Sequence, residues 1–319
     1  MLLDYDKLTD FIDRYFGSSE DQEVRRVGRN RSYDSGYFDV IRFFGSERID
    51  PEAVEIKYEP GEYCLINPTI RKFAEKIETC LRQQGRIYDG PLVMQVAAAN
   101  MSESPFSITV KACTYGVFAG SCFALDEPDP LFDGFGGTLR EYYKRMTPNS
   151  VLESHPLALC IGVCGILIAE TPARSRLLLV HRSGNLASLE NSVGPSAAGS
   201  IDFTTSCRTL AELSRWSLSQ EIREELGLAD HEFSIEPLAW AREIVRGEKP
   251  QLFCLIRTSL TEDELSIRLR SSLPAEEFDS FEFVELSDGL PEALYNTRAN
   301  HEAMMNCLLV EEYLEKEDC

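Results

Sequence analysis

Three glutamates near the end of one predicted helix are the side chains in this sequence best suited to chemistry. Glu221, Glu224 and Glu225 lie in the segment 209–228. At about 100° per residue, an α-helix brings these positions within a fan of roughly 100° on one face. Neighbouring like charges cost about 0.2–0.5 kcal/mol per pair, and negative charge is disfavoured near a helix C-terminus. Clustered carboxylate oxygens suit Mg²⁺ or Mn²⁺, which also bind substrate phosphates, so the cluster indicates a metal site.

The helix that carries these glutamates has recognisable ends. Thr209 and Glu212 have the spacing of a capping box, which predicts that the helix begins at Thr209. Gly227 is well placed to end it as a left-handed residue. On ideal helix geometry Glu212 points away from Glu221, so a capping role explains it at least as well as a place in the site. One face of the helix is apolar and is expected to meet a core: Ala211, Leu218, Ile222 and Leu226.

An acidic cluster on a helix more often forms a solvent-exposed surface than a binding or catalytic site. Here the helix follows a long segment, 182–202, that is rich in Gly, Ser, Ala and Asn. Two predicted strands, 157–168 and 176–181, form a hairpin before that segment. The carboxylates are therefore expected beside flexible backbone, which favours a binding site.

The residues around the glutamates resemble a known motif. Gln220–Leu228, QEIREELGL, resembles the distal part of the Nudix box, Arg-Glu-U-x-Glu-Glu-x-Gly-U with U aliphatic. Glu212 occupies the place of the box glutamate eight residues before the arginine position. The segment Ala198–Asp202, AGSID, resembles the Gly-Gly-x-x-Glu that opens the box. The positions that match the distal part are Glu221, Ile222, Glu224, Glu225, Gly227 and Leu228.

The sequence also departs from this motif. Gln220 stands where the family has an arginine that helps to orient the glutamates. Ala198 and Asp202 replace a glycine and a glutamate. About seven extra residues separate Gly199 from Glu212 relative to the usual spacing. The resemblance covers the chain from roughly Leu157 onwards.

The resemblance implies an α/β fold, a Nudix-like α/β/α sandwich with a mixed sheet. It would occupy residues 154–319, after an uncharacterised α+β domain at 1–153, because the polar, proline-containing stretch 147–155 is typical of a boundary. The implied activity is metal-dependent hydrolysis of a nucleoside diphosphate linked to another moiety, with water cleaving the pyrophosphate bond. The three glutamates would be the catalytic residues and would bind Mg²⁺ or Mn²⁺.

Several other residues are possible members of the site. Glu276 or Glu277 could supply a further acid from a later loop, although a solvated charge pair is the commoner explanation. Arg242 and Arg246 flank a predicted hairpin and could bind phosphate or base, with a surface salt bridge as the alternative for each. Gly199 belongs to the glycine turn of the motif.

Two other functions stay open because Gln220 replaces the orienting arginine. One is a catalytically weak or inactive Nudix-fold module that binds a nucleotide or a protein and regulates another process. The other is an acidic interaction protein whose Glu-rich helix binds nothing. The N-terminal half offers no catalytic arrangement of its own in the sequence.

Charge and cysteine usage limit the partners. Acids outnumber bases 53 to 32, a formal charge of −21, so nucleic acid and anionic membranes are unlikely general partners. The same charge opposes a phosphate substrate unless a bound metal inverts the local field. A small nucleotide diphosphate derivative is the partner that the resemblance implies. The start, MLLDYDKLTD, does not resemble a secretory leader. The ten cysteines form no CxxC pair and mostly lie in apolar stretches. We therefore expect a soluble cytoplasmic protein with reduced thiols, for which an oligomer is possible.

The first half also contains predicted elements. Helices are expected at Asp4–Phe16 and Pro68–Gln84, from apolar residues at helical spacing. Strands are expected at Leu92–Ala99, Phe106–Ala112 and Val117–Ala124.

Overall fold

A computed structural model of the chain has a mixed α/β architecture, which confirms the predicted fold class. It describes residues 38–45, 48–101, 104–146, 155–171, 174–184, 189, 191–272, 278–286, 294 and 299–317. The predicted helix Asp4–Phe16 lies outside these residues. Within them, no helix combines the length and apolar character needed to cross a bilayer.

Eleven strands and six α-helices are assigned within these ranges. The strands are β1 (Phe38–Arg42), β2 (Glu55–Glu62), β3 (Val93–Asn100), β4 (Ser107–Cys113), β5 (Gly162–Thr171), β6 (Arg174–Arg182), β7 (Val193–Gly194), β8 (Ala197–Ser200), β9 (Phe233–Glu243), β10 (Lys249–Thr258) and β11 (Phe278–Glu285). The helices are α1 (Pro68–Gln83), α2 (Tyr115–Cys122), α3 (Leu139–Met146), α4 (Leu210–Glu221), α5 (Glu262–Ser272) and α6 (His301–Glu317). A π-helical segment, Ile222–Leu226, follows α4 directly.

The larger sheet is mixed and has eight strands. Its path runs β1-β9-β10-β5-β6-β11, with β7 paired to β6 and β8 paired to β5. Strands β10 and β5 are parallel, whereas β5 and β6 form an antiparallel hairpin. The predicted hairpin before the glutamate helix is therefore confirmed, and so is the hairpin predicted near Arg242 and Arg246, as β9 and β10.

Helices cover both faces of this sheet. Successive strand residues point to opposite faces, so Leu252 of β10 joins the core beneath α4 while Phe253 joins the core beneath α6. Leu218 packs in the first core and Leu309 in the second. The result is the helix–sheet–helix sandwich that the resemblance implies, and it holds α4 against the strands that lead into it.

The N-terminal half builds a second, three-stranded sheet in the order β2-β4-β3. Helices α1, α2 and α3 share a core with it, in which Phe73, Phe118 and Tyr143 are buried. The predicted helix 68–84 is confirmed, because α1 begins after Asn67, whose side chain accepts from the amides of Thr69 and Ile70. The predicted strands 92–99 and 106–112 are also confirmed, as β3 and β4.

The predicted strand Val117–Ala124 is wrong, because this segment lies largely in α2. Thr114 caps the helix by accepting from the Val117 amide. The apolar run YGVFAGSC is buried almost all round, so its hydrophobicity has no helical period. The small residues of this segment allow it to pack closely on α1. That tertiary contact favours a helix over the predicted strand.

Replacing Gly120 with alanine is expected to destabilise the protein by about 1–3 kcal/mol. A Cβ at Gly120 would lie 2.3 Å from the Ala74 carbonyl oxygen of α1, so the helix backbones would have to separate. In an exposed helix the same change is stabilising by about 1 kcal/mol. Urea denaturation measures the difference. Gly90→Ala, where a Cβ meets nothing within 4 Å, is the control. Equal stability of Gly120→Ala and the wild type would contradict the packing of α1 on α2.

Backbone hydrogen bonds join residues before position 153 to residues after it. Strand β1 falls within residues 1–153, yet it pairs with β9, placing Val40 opposite Ala241. The Met94 amide of β3 donates to the Ile201 carbonyl at 2.8 Å. The division into domains at 153/154 stays a prediction.

Candidate functional site

The helix that carries the glutamates begins as the sequence predicts. Thr209 Oγ1 accepts from the Glu212 amide at 3.2 Å, and the Glu212 carboxylate accepts from the Thr209 amide at 3.3 Å. This confirms the capping box. At about 1.5 Å per residue, Glu212 lies roughly 13 Å along the axis from Glu221. The structure therefore assigns Glu212 to the helix cap and does not bring it to the other glutamates.

The end of the helix differs from the expected regular geometry. Residues Ile222–Leu226 are π-helical, and Gly227 ends the segment with a left-handed φ of 67°. The role of Gly227 is thus confirmed, whereas the widened turn was not predicted. Ile222 and Leu226 are fully buried as expected. Single-turn π segments occur frequently at functional sites, and this one contains Glu224 and Glu225.

Two of the three glutamates meet strand β8 directly. Glu225 is 4% exposed, and its Oε2 accepts from the Ala198 amide at 3.0 Å. The Glu221 carboxylate lies against Gly199, because a Cβ at Gly199 would be 1.9 Å from Glu221 Oε1. The structure therefore brings Gly199, Glu221 and Glu225 together, at the short strand that the motif resemblance aligns with its glycine turn.

Glu224 is the exposed member of the cluster. Burial and the nearby Glu224 carboxylate raise the pKa of Asp202, which follows β8. Carboxylates thus gather along the edge of β8, and the local potential favours a cation there.

The oxygen ligands near β8 can be compared with the coordination that a divalent cation requires. Carboxylate oxygens are the ligands that Mg²⁺ and Mn²⁺ prefer, and a glycine at 199 lets the Glu221 carboxylate lie against the backbone. Over the ranges that the structure describes, however, no three His, Cys, Asp or Glu side chains are grouped closely enough to hold one ion. An ion at β8 would therefore have few protein ligands and would complete its shell with water or substrate oxygens, as Mg²⁺ commonly does.

The remaining candidate residues lie elsewhere or beyond the described ranges. Arg242 pairs with Asp39 of β1 and with Glu248, its Nε lying 3.0 Å from Asp39 Oδ2. Arg246 is buried rather than at the surface, and it pairs with Glu243 and Glu302. Both arginines are therefore engaged by acids. Glu276 and Glu277 lie outside the described residues.

Sequence reasoning missed a buried cluster of charged and polar residues on the α6 side of the sheet. Its members are Glu243, Arg246, Lys249, Gln251, His301 and Glu302. The spacing of Glu243, Arg246 and Lys249 around the β9–β10 turn could have signalled it, but His301 and Glu302 come from α6, far along the chain. Nine cysteines are described, and seven of them are buried, as the apolar stretches around them predict.

Comparisons with known proteins give limited similarity. No protein-family model matches the chain, and no curated protein matches it. A solved structure of a mutT/nudix family protein from Listeria innocua is 13% identical with a TM-score of 0.36, over 50% of this chain and 96% of that one. The NUDIX domain of Shewanella oneidensis NrtR complexed with ADP ribose is 15% identical with a TM-score of 0.35, over 49% and 89%. A C. elegans Ap4A hydrolase binary complex is 13% identical with a TM-score of 0.34, over 50% and 99%.

Proposed function

We propose that this protein is a Mg²⁺- or Mn²⁺-dependent hydrolase that cleaves the pyrophosphate bond of a nucleoside diphosphate linked to another moiety. The observation that carries the proposal is the contact of Glu221 and Glu225 with Gly199 and Ala198 of β8. It joins the two parts of the sequence that resemble the Nudix box. The proposed location is the cytoplasm.

Each glutamate has a distinct place in the proposed site. When bound, the divalent ion would neutralise the diphosphate, polarise phosphorus and lower the pKa of a water. Glu225, fixed by the Ala198 amide, and Glu221, held against Gly199, would orient that ion. Glu224 is exposed, so its carboxylate is free to turn toward an incoming substrate and to take the proton of the attacking water.

A second candidate is a Nudix-like module that binds a nucleotide without turnover. Two observations favour it: Gln220 stands in the orienting position, and the described side chains do not form a three-residue metal cluster. Such a module would still bind cation and diphosphate at β8, but the glutamates would not be aligned for hydrolysis.

One experiment separates these functions. The purified protein is incubated with Mg²⁺ or Mn²⁺ and a panel of nucleotide sugars, dinucleotide cofactors, deoxynucleoside triphosphates and coenzyme A derivatives. Product release and thermal stabilisation are measured in parallel. Cation-dependent product release is expected. Stabilisation without release would favour the binding module, and no response of either kind would rule out both.

Replacing Gly199 with alanine is expected to lower kcat/KM roughly tenfold to a hundredfold, because a misplacement of about 1 Å can cost that much. The methyl group would occupy the place of Glu221 Oε1, and the carboxylate at the end of a flexible side chain must move away. The free energy of unfolding should change by less than about 1 kcal/mol. Steady-state kinetics and urea denaturation measure the two effects.

Ser200→Ala is the matched control, since it alters the next residue of the same strand. Ser200 pairs with Gly162 and points to the opposite face of the sheet from Gly199. Its activity should stay close to that of the wild type. A Gly199→Ala variant with unchanged kinetics would place Glu221 outside the reaction.

A further inference from the structure

We infer that the N-terminal half positions the glutamate helix, by clamping the connection 201–209 that joins β8 to α4. The inference rests on the proposed function only for its effect on catalysis. This connection begins two residues after Gly199 and ends at Thr209, the cap of α4. Strands β2 and β3 of the N-terminal half bind it at its two ends.

The first end of the connection runs beside β3. The Met94 amide donates to the Ile201 carbonyl at 2.8 Å, and the Phe203 amide donates to the Leu92 carbonyl at 2.6 Å. Asp202 lies opposite Val93 as an antiparallel bridge. The backbone that leaves β8 is therefore held in extended form by a strand of the other half.

The second end runs beside β2. The Ile56 amide donates to the Arg208 carbonyl at 2.9 Å, and the Leu210 amide donates to the Val54 carbonyl at 3.0 Å. These bonds fix the residues on either side of the helix cap, Thr209. The start of α4 therefore cannot shift along β2 without breaking them.

Side chains strengthen the second end. Glu52 accepts from Thr209 Oγ1 at 3.0 Å and pairs with Arg215 Nη1 at 2.6 Å, so it bridges the cap and the first turns of α4. Tyr58 of β2 donates its hydroxyl to the Cys207 carbonyl at 2.6 Å. Burial raises the pKa of Tyr58 to about 12, so the phenol keeps its proton and stays a donor at neutral pH.

One sheet supplies both ends of the clamp. Strands β2 and β3 each pair with β4, so they form a single unit and cannot move independently. The connection also contains the extra residues that separate Gly199 from Glu212 relative to the Nudix box. The insertion is thus the segment that the N-terminal half binds.

The clamp acts on the site through the two elements that the connection joins. Ala198 and Gly199 of β8 contact Glu225 and Glu221, which lie at the far end of the helix that Thr209 starts. A shift of α4 relative to β8 would pull these carboxylates away from the strand. Tyr58 is therefore a positioning residue, which would act on the glutamates through its bond to the Cys207 carbonyl of the connection.

Tyr58→Phe tests the clamp. Hydrogen exchange of amides in 203–210 and in 221–226 should become roughly fivefold faster, the factor expected for the loss of one typical hydrogen bond. For the active enzyme, kcat should fall about threefold or more while KM stays the same. A purely structural role of Tyr58 would lower stability without this selective change in exchange and without the kcat effect.

Tyr63→Phe is the matched control. Tyr63 also joins the two halves, by donating its hydroxyl to the Leu157 carbonyl at 3.1 Å, but that bond lies off the connection. It should leave exchange in 203–226 and kcat unchanged. Wild-type exchange in Tyr58→Phe would overturn the clamp, and so would equal acceleration in both variants.

The exchange measurement requires no substrate, so it separates the two proposals. If the wild type hydrolyses nothing, the proposed function fails, and the exchange rates still decide whether the clamp exists. If the wild type is active and Tyr58→Phe changes exchange but not kcat, the clamp does not position the site and the inference is wrong.

Discussion

Replacing Glu224 with glutamine is expected to reduce hydrolysis by roughly a hundredfold or more, the size of effect seen when an acid–base group is lost. Glu224 is exposed at the end of the helix, beside two carboxylates that β8 holds in place. Glutamine keeps the size of the side chain and one acceptor oxygen. It removes the charge that would bind a cation or accept a proton.

The same variant should fold normally, and this makes it informative. Exposed substitutions usually change stability by less than about 0.5 kcal/mol, and removing one of several neighbouring negative charges relieves repulsion. Steady-state kinetics with the best substrate of the panel measures activity, and urea denaturation measures stability. Glu75→Gln, the same change at an exposed position of α1, is the control. Product release by Glu224→Gln at the wild-type rate would rule out the glutamate site.

The local features of the site could be predicted from sequence. The capping box of Thr209 and Glu212 and the left-handed Gly227 depend only on neighbouring residues, and both are present. The apolar face of α4 and of the π-helical segment after it follows from helical spacing, and Leu218, Ile222 and Leu226 are buried as a result. Such features are encoded within one turn of helix.

The tertiary features could not be predicted in this way. The bond between Glu225 and the Ala198 amide joins residues 27 positions apart. The π-helical turn has no simple sequence signal. The apolar run 117–124 predicts a strand, although it lies largely in α2, because its residues are buried on nearly all sides and show no helical period. In each case packing against a distant element decides the structure, and packing is not visible in local periodicity.

The hydrogen bonds between the two halves of the chain could not be predicted from the sequence either. A polar stretch near residue 150 predicts a boundary, yet β1 pairs with β9 and β3 binds the connection after β8. Backbone hydrogen bonds between strands carry almost no sequence signature. The sequence therefore leaves the part played by the N-terminal half open, between a wall of the pocket, a dimer contact and a cap on the sheet. In the structure it contacts both ends of the segment before the glutamate helix.

Replacing Glu243 with glutamine is expected to destabilise the protein by about 3–5 kcal/mol, the usual cost of breaking a buried ion pair. Glu243 is fully buried, and its Oε1 accepts from Arg246 Nε and from His301 Nε2, both at 2.5 Å. Its Oε2 accepts no hydrogen bond within the described residues and lies 3.9 Å from Lys249 Nζ. Lys249 therefore supplies charge compensation rather than a direct bond.

Glu243→Gln removes one of the two negative charges that balance the buried cations. Arg246 and Lys249 would share one remaining carboxylate, that of Glu302, in a region where water cannot solvate them. Urea denaturation at pH 7 measures the loss. Asp230→Asn, which breaks the exposed pair with Arg223, is the control and should cost less than about 1 kcal/mol. A Glu243→Gln variant within 1 kcal/mol of the wild type, roughly the cost of a surface pair, would contradict the buried network.

The buried network also predicts that the stability of the protein depends on pH. Burial alone would raise the pKa of Glu243, but Arg246 and His301 outweigh it and hold the pKa well below its ordinary value. A carboxyl with a lowered folded pKa contributes stability that is fully present above its unfolded pKa, about 4.3, and is lost as pH falls toward the folded pKa. Wild-type stability should therefore decrease below about pH 5, and the decrease should be shallower in Glu243→Gln. Parallel acid curves for the two proteins would show that folding does not lower the pKa of Glu243, because only a pKa difference between the folded and unfolded states contributes this slope.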